Sequence, residues 1–334
     1  MTTEQLAPIV RLAPAKVNLT LSVVDRQRDG FHTLHSVMVP LGLADRLSFA
    51  RAAGREDSLH VVTGTDGRTA LDPAGFGSVL AGIAAARRLV GRGADTFPLA
   101  ARLEKRIPIA AGLAGGSSDA AAAIDGAVAA WGTTATPGDA ARAGAEIGSD
   151  VPFFFAGGPA LVEGRGERVD PLRSFAGPPP GILLVTPAVE VSTAAVFKAL
   201  DDDPRAAPAN RGSTRLTSEH LAAELSPGYP PMRADDLVVR AGVLAVANDL
   251  ANAADLLVPG LRALRRALVR LLGRPIGLTG SGPTLWALYP SLEAAEEAAR
   301  RVRDEHAADR LESPGARAPF VAATTIEGQG RTSA

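Results

Sequence analysis

The chain has 334 residues, a formal net charge of −1 at pH 7 and no cysteine. This length is enough for two ordinary domains, the balanced charge lacks the basic field of a nucleic-acid-binding protein, and the lack of cysteine excludes disulfides and thiolate chemistry. Because no apolar run is long enough for a membrane span and Met1 to Pro14 lacks a signal-peptide pattern, we expect a cytoplasmic protein with a small-molecule substrate.

The first half of the chain is predicted from apolar residues that recur at strand or helix spacing. In chain order the elements are a strand over 17–23, a helix over 78–90, a strand over 99–103, a helix over 117–130 and a helix over 136–148. The turn Arg28-Asp29-Gly30 ends the first strand, and Pro137 begins the last helix. Because Gly148 stops that helix, Asp150 is expected in the loop that follows.

A Pro/Gly-rich stretch over 177–181 predicts the boundary between an N-terminal domain, residues 1–175, and a C-terminal domain, residues 176–325, with a tail over 326–334. The later elements are a buried strand over 182–185, a helix over 263–272, strands around 276 and over 285–289, and a helix over 293–305. Residues 201–236 have little periodicity, so a long surface insertion or partly disordered loop is predicted there, with a short helix over 218–224.

The most informative segment runs from Pro108 to Asp119, with three glycines and two serines in residues 112–118. Small residues let backbone N–H groups approach a phosphate closely, and the following helix presents the positive end of its dipole. No lysine follows the glycines as in a P-loop, and Gly280-Ser281-Gly282 lacks the third glycine of a dinucleotide-binding motif. A different phosphate-binding loop is predicted, and an ordinary strand-to-helix turn is the alternative.

Residues 14–19, 112–118 and 280–284 together resemble, in this order, the three motifs of the galactokinase, homoserine kinase, mevalonate kinase and phosphomevalonate kinase (GHMP) superfamily. The resemblance implies an α+β fold with a ribosomal-protein-S5-like N-terminal domain and a ferredoxin-like C-terminal domain. It places the active site in the cleft between the domains. It also implies ATP as the phosphoryl donor, with Mg²⁺ bound through the phosphate oxygens.

Further segments are similar to one branch of this superfamily, namely residues 29–34, 148–154, 163–167, 191–193 with Phe197, and 248–250. The resemblance therefore implies ATP-dependent phosphorylation of a hydroxyl of 4-diphosphocytidyl-2-C-methyl-D-erythritol, a step of the non-mevalonate isoprenoid pathway. The alternatives are a GHMP-type kinase with another small alcohol acceptor and a catalytically silent nucleotide or ligand sensor. A monomer or homodimer without nucleic-acid or membrane partners is expected.

The resemblance assigns Lys16 and Asp150 to a catalytic pair. Phosphoryl transfer needs an oriented hydroxyl, a proton acceptor and positive charge near the transferred group. Asp150 is the candidate proton acceptor, and Lys16 would keep that carboxylate ionised. Without the resemblance, a solvated strand lysine and a turn aspartate are the simpler interpretations.

The remaining candidate residues form two groups. The expected ATP-binding residues are Lys105, Pro108, Ile109, Ala110, Ala111, Gly112, Leu113, Ala114, Gly115, Gly116, Ser117 and Ser118. The expected substrate-binding residues are Asn18, Phe31, His32, Phe197, Gly280, Ser281 and Gly282.

Within the second group, Phe31 and Phe197 are expected to cover the two faces of cytosine while His32 bonds its edge, as the resemblance implies. The alternative is that both phenylalanines are core residues and His32 is a loop histidine. Asn18 is expected either to contact the erythritol portion or to orient Lys16.

No histidine grouping has transition-metal spacing, so no protein metal site is expected, and Ser118 and Asp150 are the candidates for an additional Mg²⁺ ligand. The chain departs from the superfamily pattern between Leu71 and Leu80, where residues 72–77 replace an Asp-Asn-Leu element. The sequence therefore does not predict which residues form the adenine pocket.

Overall fold

The computed structural model describes residues 8–28, 30–63, 69–91, 95–203 and 212–328. These residues form two β-sheets, one of eight strands and one of four, with helices packed against both. The expected α+β fold is confirmed.

The larger sheet is organised around one long strand. Its strands are β1 (Ile9–Asn18), β2 (Ser22–Arg26), β3 (His32–Arg51), β4 (Ser58–Thr63), β5 (Thr69–Leu71), β6 (Leu99–Glu104), β7 (Ala160–Gly164) and β8 (Arg168–Pro171). Because β3 is 20 residues long, it pairs with β1, β2, β6 and β7 along different parts of its length. The strand order is β5-β4-β6-β3-β7-β8, with β1 and β2 also on β3.

Three helices pack on this sheet or on one another: α1 (Gly77–Val90), α2 (Gly115–Ala130) and α3 (Pro137–Ala145). Small residues let α2 approach its neighbours closely. A Cβ at Gly82 of α1 would lie 2.6 Å from the carbonyl oxygen of Ala120, and one at Gly126 would lie 2.2 Å from the ring of Phe49. The alanine-rich sequence of α2 therefore fixes the helix that follows the glycine-rich loop.

The smaller sheet contains β9 (Gly181–Thr186), β10 (Gly277–Leu278), β11 (Leu285–Tyr289) and β12 (Phe320–Thr325) in the order β10-β11-β9-β12. This antiparallel order is that of a ferredoxin-like βαββαβ unit. Its half of the chain also forms α4 (Thr193–Asp202), α5 (Gly212–Glu224), α6 (Ala234–Val239), α7 (Ala241–Leu244), α8 (Ala251–Leu257), α9 (Leu261–Leu272) and α10 (Leu292–Ala307). Every residue of β9 is buried, as its apolar run predicts.

A common core joins the two sheets. Leu184 and Trp286 of the smaller sheet pack in one cluster with Val17 and Val39 of the larger one. The predicted domain boundary falls between β8 and β9. Because the two sheets share a core, the division of the chain into two independent domains remains a prediction. Residues 329–334 of the predicted tail lie outside the described residues.

The predicted strand over 17–23 is wrong in one respect, because the chain forms two strands there. β1 ends at Asn18 and β2 begins at Ser22. Between them the hydrogen-bonding partner changes, since the amide of Leu19 donates to Val37 and that of Leu21 donates to Ala247. The other elements discussed so far lie within three residues of their predicted ends.

The predicted surface insertion over 201–236 is also wrong for the residues that are described. The helix expected over 218–224 is the longer α5, and its residues Ser218 and Leu221 are buried. Leu225, Met232 and Leu237 pack in the shared core. The buried face of α5 includes threonine and serine, so its apolar residues do not recur at helical spacing. Residues 204–211 lie outside the described residues.

Candidate active site

A cleft of about 1130 Å³ is lined by residues from both halves of the chain. Of the predicted site residues it brings together Lys16, Asn18, Phe31, His32, Lys105, Pro108, Ile109, Ala110, Ala111, Gly112, Ala114, Gly115, Gly116, Ser117, Asp150, Phe197, Gly280 and Ser281. Leu113, Ser118 and Gly282 do not line this cleft.

The glycine-rich loop forms one wall of the cleft and leads into α2. Ala114 adopts a left-handed conformation with φ 54°, and α2 begins at the next residue. The first N–H groups of a helix have no acceptor within the helix. Gly116 and Ser117 therefore present the amide-rich end of α2 at the cleft, as an anion-binding loop requires.

Two predicted residues of this loop face elsewhere. Leu113 is 1% exposed and belongs to the shared core, although its carbonyl oxygen accepts a hydrogen bond from the amide of Lys16 at 3.1 Å. Ser118 lines a separate cavity of about 190 Å³, which Arg11 and Asp125 also line. Its Oγ is buried without a hydrogen-bond partner among the described residues. The structure thus separates Ser118 from the cleft.

Lys16 and Asp150 lie close together, as predicted. Lys16 Nζ is 3.6 Å from Asp150 Oδ2, and the side chain of Lys16 is 4% exposed while that of Asp150 is 32% exposed. A partly accessible carboxylate beside a buried ammonium group is placed to accept a proton from a molecule bound in the cleft.

Asn18 is hydrogen-bonded to Lys16, as one of the two roles expected for it requires. Its Oδ1 accepts a hydrogen bond from Lys16 Nζ at 2.7 Å, and its Nδ2 donates to Ser36 Oγ at 2.8 Å. Ser36 Oγ in turn donates to the carbonyl oxygen of Thr20 at 2.6 Å. Ser36 and Thr20, which the sequence did not single out, thereby fix the amide that holds the lysine.

The third motif contacts the glycine-rich loop. A Cβ at Gly112, where φ is 75°, would lie 2.7 Å from the carbonyl oxygen of Thr279 and 2.9 Å from that of Gly282. Asn248 Nδ2 donates to the carbonyl oxygens of Leu278 and Gly280 at 2.9 and 3.0 Å. Glycine at 112 is thus required by both its backbone conformation and this close approach.

The predicted base-pocket residues lie together at the cleft, in an arrangement that the sequence did not predict. Phe31 is 54% exposed, which excludes the core interpretation for Phe31, and the Arg165 guanidinium carbon lies 4.5 Å from its ring centroid. Phe197 is partly buried and packs against a hydrophobic core cluster. The rings of His32 and Phe197 are stacked, with centroids 4.7 Å apart. His32 Nε2 is 2.8 Å from Asp201 Oδ1.

Lys105 belongs to a buried charged triad beneath the loop. It contacts the carboxylates of Asp45 and Asp119, both 0% exposed, with Asp119 Oδ2 at 2.9 Å. Asp45 Oδ1 also accepts from the amides of Arg106 and Ile107. Burial opposes the charge of Lys105, but the two carboxylates outweigh it and raise the lysine pKa.

Burial raises the pKa of Asp119 to about 7, and Asp45 adds to this effect against the opposing charge of Lys105. The pairing of these two aspartates with Lys105 was not predicted, because a charged residue that is buried in an ion pair looks like a solvated one until its partners are known.

The segment that replaces the Asp-Asn-Leu element also reaches the cleft. Asp72 caps a short 3-10 helix, Pro73–Phe76, by accepting a hydrogen bond from the amide of Ala74 at 3.0 Å. Gly75, Phe76 and Ser78 line the cleft, and Lys105 Nζ is 5.9 Å from the centroid of Phe76. These residues are candidates for the adenine pocket that the sequence left open.

His35, which lies outside the cleft, has a structural environment. His35 is buried and its Nδ1 lies 2.8 Å from Ser218 Oγ, while burial lowers its pKa. Within the described part of the chain no group of three or more His, Cys, Asp or Glu side chains could hold a metal ion. The described helices also include none long and apolar enough to cross a membrane.

Two family models match the chain. The model described as the GHMP kinases N terminal domain matches residues 78–158, and that described as GHMP kinases C terminal matches residues 240–308. The first match contains the glycine-rich loop and Asp150, and the second contains α7 to α10 together with β10 and β11.

Similar proteins cover nearly the whole chain. A 4-diphosphocytidyl-2-C-methyl-D-erythritol kinase of Moorella thermoacetica is 36% identical over 296 residues, 88% of this chain and 94% of that protein. A protein of the same name from Anaeromyxobacter sp. is 38% identical over 299 residues, 88% of this chain and 86% of its own length.

Solved structures of similar proteins share the fold of this chain. A crystal structure of 4-(cytidine 5'-diphospho)-2C-methyl-D-erythritol kinase matches with a TM-score of 0.64 and 30% identity, covering 95% of this chain and 99% of that one. A homoserine kinase from Cytophaga hutchinsonii matches with a TM-score of 0.69 over 99% of this chain and 98% of its own, at 19% identity. The second match supports the fold alone.

Proposed function

This chain belongs to the family of 4-diphosphocytidyl-2-C-methyl-D-erythritol kinases, within the GHMP kinases, and we propose that it transfers a phosphoryl group from ATP to a hydroxyl of that cytidyl substrate. The reaction is a step of the non-mevalonate isoprenoid pathway. The observation that carries the proposal is the contact between Lys16 and Asp150 in a cleft that the glycine-rich loop also lines.

Asp150 accepts the proton of the substrate hydroxyl as that oxygen becomes a nucleophile. Lys16, 3.6 Å away, places positive charge beside the carboxylate and favours the negative charge that develops on the oxygen. Asn18 holds the ammonium group of Lys16 through a neutral oxygen, so its charge is not cancelled by a second carboxylate. The pair therefore supplies the base and the positive charge that the reaction needs.

The loop fits a polyphosphate. A Cβ at Gly116 would have Ser78 Oγ, at 3.8 Å, as its nearest neighbour, so the space in front of this glycine is open. Gly116 and Ser117, with the other cleft-lining residues of the loop, would hold ATP by their amides, and bound ATP supplies the phosphoryl group. Mg²⁺ would be held mainly by phosphate oxygens, with Asp150 better placed than Ser118, which lines the separate cavity.

The acceptor is supported by the names of the relatives and by the residues at the cleft. The exposed ring of Phe31 can stack on a base, and His32 lies beside it in the chain. Another small alcohol acceptor is the second candidate within the same superfamily. The Lys16–Asp150 contact disfavours a silent sensor, which would not need this pair.

The proposal is tested by replacing Asp150 with asparagine, which keeps the shape of the side chain but removes its basicity. We expect turnover to fall roughly 100-fold or more while the dissociation constant for ATP changes little. Steady-state kinetics and calorimetry measure the two quantities. Near-normal turnover in the folded Asp150→Asn protein would remove Asp150 from the catalytic role.

A further inference from the structure

Asp201, in the last turn of α4, contacts the edge of the His32 ring. Its Oδ1 lies 2.8 Å from His32 Nε2, and its Oδ2 lies 3.5 Å from Nε of Arg26. The side chains of His32 and Asp201 are 9% and 21% exposed. The stacked ring of Phe197 covers the imidazole, so His32 is held by a carboxylate at one edge and by an aromatic ring on one face.

The chemistry of this contact fixes which nitrogen of a neutral imidazole carries the proton. A carboxylate only accepts hydrogen bonds, so the bond at 2.8 Å requires a proton on Nε2. A neutral imidazole has one N–H, and therefore Nδ1 is left with a lone pair that can only accept. No hydrogen bond to Nδ1 is formed by the residues that the structure describes, and His32 lines the cleft.

A hydrogen-bond acceptor at Nδ1 of His32 distinguishes cytosine from uracil. Cytosine carries an exocyclic amino group that donates hydrogen bonds, whereas uracil carries a carbonyl oxygen in the corresponding place. We propose that Asp201 is a positioning residue that sets the tautomer of His32 and thereby makes the cleft select a cytidine nucleotide over a uridine nucleotide. The inference rests on the proposed function for the presence of a pyrimidine, and the tautomer itself does not depend on it.

The neighbouring carboxylate shows that this contact is specific to Asp201. Asp202 pairs with Lys198 of the same helix at 2.6 Å, and its side chain is 64% exposed. Replacement of Asp202 thus removes the same charge from the same helix without touching His32. Asp202→Ala is the matched control for Asp201→Ala.

The tautomer is measured in the free protein by ¹⁵N NMR of the histidine ring nitrogens at neutral pH. The chain contains five histidines, and the His32→Gln variant assigns the signals of His32. We expect a protonated Nε2 and an unprotonated Nδ1 in the wild type and in Asp202→Ala, and a mixture of tautomers in Asp201→Ala. A wild-type ring protonated on Nδ1, alone or on both nitrogens, would overturn the proposal.

Selectivity is measured by the binding of cytidine diphosphate and uridine diphosphate to the full-length protein. We expect the wild type and Asp202→Ala to prefer the cytidine compound by at least about tenfold, and Asp201→Ala to reduce this preference to about threefold or less. An unchanged preference in Asp201→Ala would overturn the role of Asp201 alone. If the wild type binds neither compound, the cytidyl substrate of the proposed function fails as well, and the NMR result distinguishes the two failures.

Discussion

The ammonium group of Lys16 contacts two side chains, of which one is a neutral amide and the other a carboxylate. Asn18 contacts it at 2.7 Å through a neutral amide oxygen, and Asp150 contacts it at 3.6 Å through a carboxylate. Because Asn18 is 2% exposed and bonded to Ser36, the amide cannot easily turn away. The lysine is therefore fixed in place, and in the proposed reaction its charge is available to the carboxylate and to the substrate oxygen.

Replacement of Asn18 with alanine separates its two candidate roles. If Asn18 orients Lys16, Asn18→Ala should lower kcat by about tenfold, the scale of one hydrogen bond to a charged group, with little change in KM for the acceptor. Ser36→Ala, one bond further from the lysine, should give a smaller decrease in kcat. A change confined to KM for the acceptor would instead indicate that Asn18 binds the substrate.

Residues that lie in short motifs could be predicted from the sequence, and residues that depend on distant partners could not. Lys16 and Asn18 stand two positions apart in one strand, and Asp150 follows a helix end that glycine marks. Asp201, in contrast, contacts a histidine 169 positions away. Its role follows from the tertiary fold, which the composition of the 201–236 segment did not reveal.

At the scale of elements, the glycine-rich loop combines open and crowded positions. A Cβ at Gly115 would lie 3.1 Å from Ile107 Cγ2 and 3.3 Å from Lys105 Nζ, whereas Gly116 has free space beyond its Cα. The two adjacent glycines therefore have different tasks. Gly115 allows α2 to pack over the buried triad, and Gly116 leaves open space, which the proposed function assigns to phosphate.

Replacement of Gly116 with valine tests the phosphate-binding role of this loop. We expect Gly116→Val to fold, because its Cβ meets no atom closer than 3.8 Å, and to bind ATP much more weakly because the side chain fills the phosphate space. Calorimetric titration with ATP and thermal unfolding measure the two effects. Unchanged ATP affinity in the folded variant would make the loop a structural turn.

The second half of the chain was harder to predict at this scale. Apolar runs identified β9 and β11, but α5 buries Thr214 and Ser218 beside Leu221. Ser218 Oγ bonds the hydroxyl of Thr20 and the ring of His35, which satisfies the buried hydroxyl. A helix whose buried face is partly polar does not produce the hydrophobic period on which the prediction depends.

At the scale of the whole molecule, the triad of Lys105, Asp45 and Asp119 ties together β3, the end of β6 and α2. Three ionisable side chains are buried at one point beneath the cleft, and the ammonium group of Lys105 contacts both carboxyl groups. Burial, reinforced by Asp45, raises the pKa of Asp119 to about 7. Folding therefore takes up a proton at pH values between the ordinary aspartate pKa and about 7.

This proton uptake makes the stability pH-dependent. The Asp119 contribution is fully present below its unfolded pKa, near 3.8, and is lost as the pH rises through its folded pKa of about 7. We expect the free energy of unfolding, measured with denaturant from pH 5 to 8, to decline with pH less steeply in Asp119→Asn than in the wild type. Asp170→Asn, at an exposed strand position, is the control with an unaltered slope. Equal slopes in all three proteins would contradict a raised pKa for Asp119.

The reaction proposed for this cleft is phosphorylation of the cytidyl-linked methylerythritol. The direct measurement is a single-turnover reaction with enzyme in excess over labelled ATP, in which 4-diphosphocytidyl-2-C-methyl-D-erythritol, homoserine and mevalonate are offered separately. We expect rapid transfer of the label to the cytidyl compound, little transfer to the other two, and loss of transfer in Asp150→Asn. Transfer to homoserine or mevalonate in place of the cytidyl compound would contradict the proposed substrate, and absence of transfer to every acceptor would contradict the proposed kinase activity.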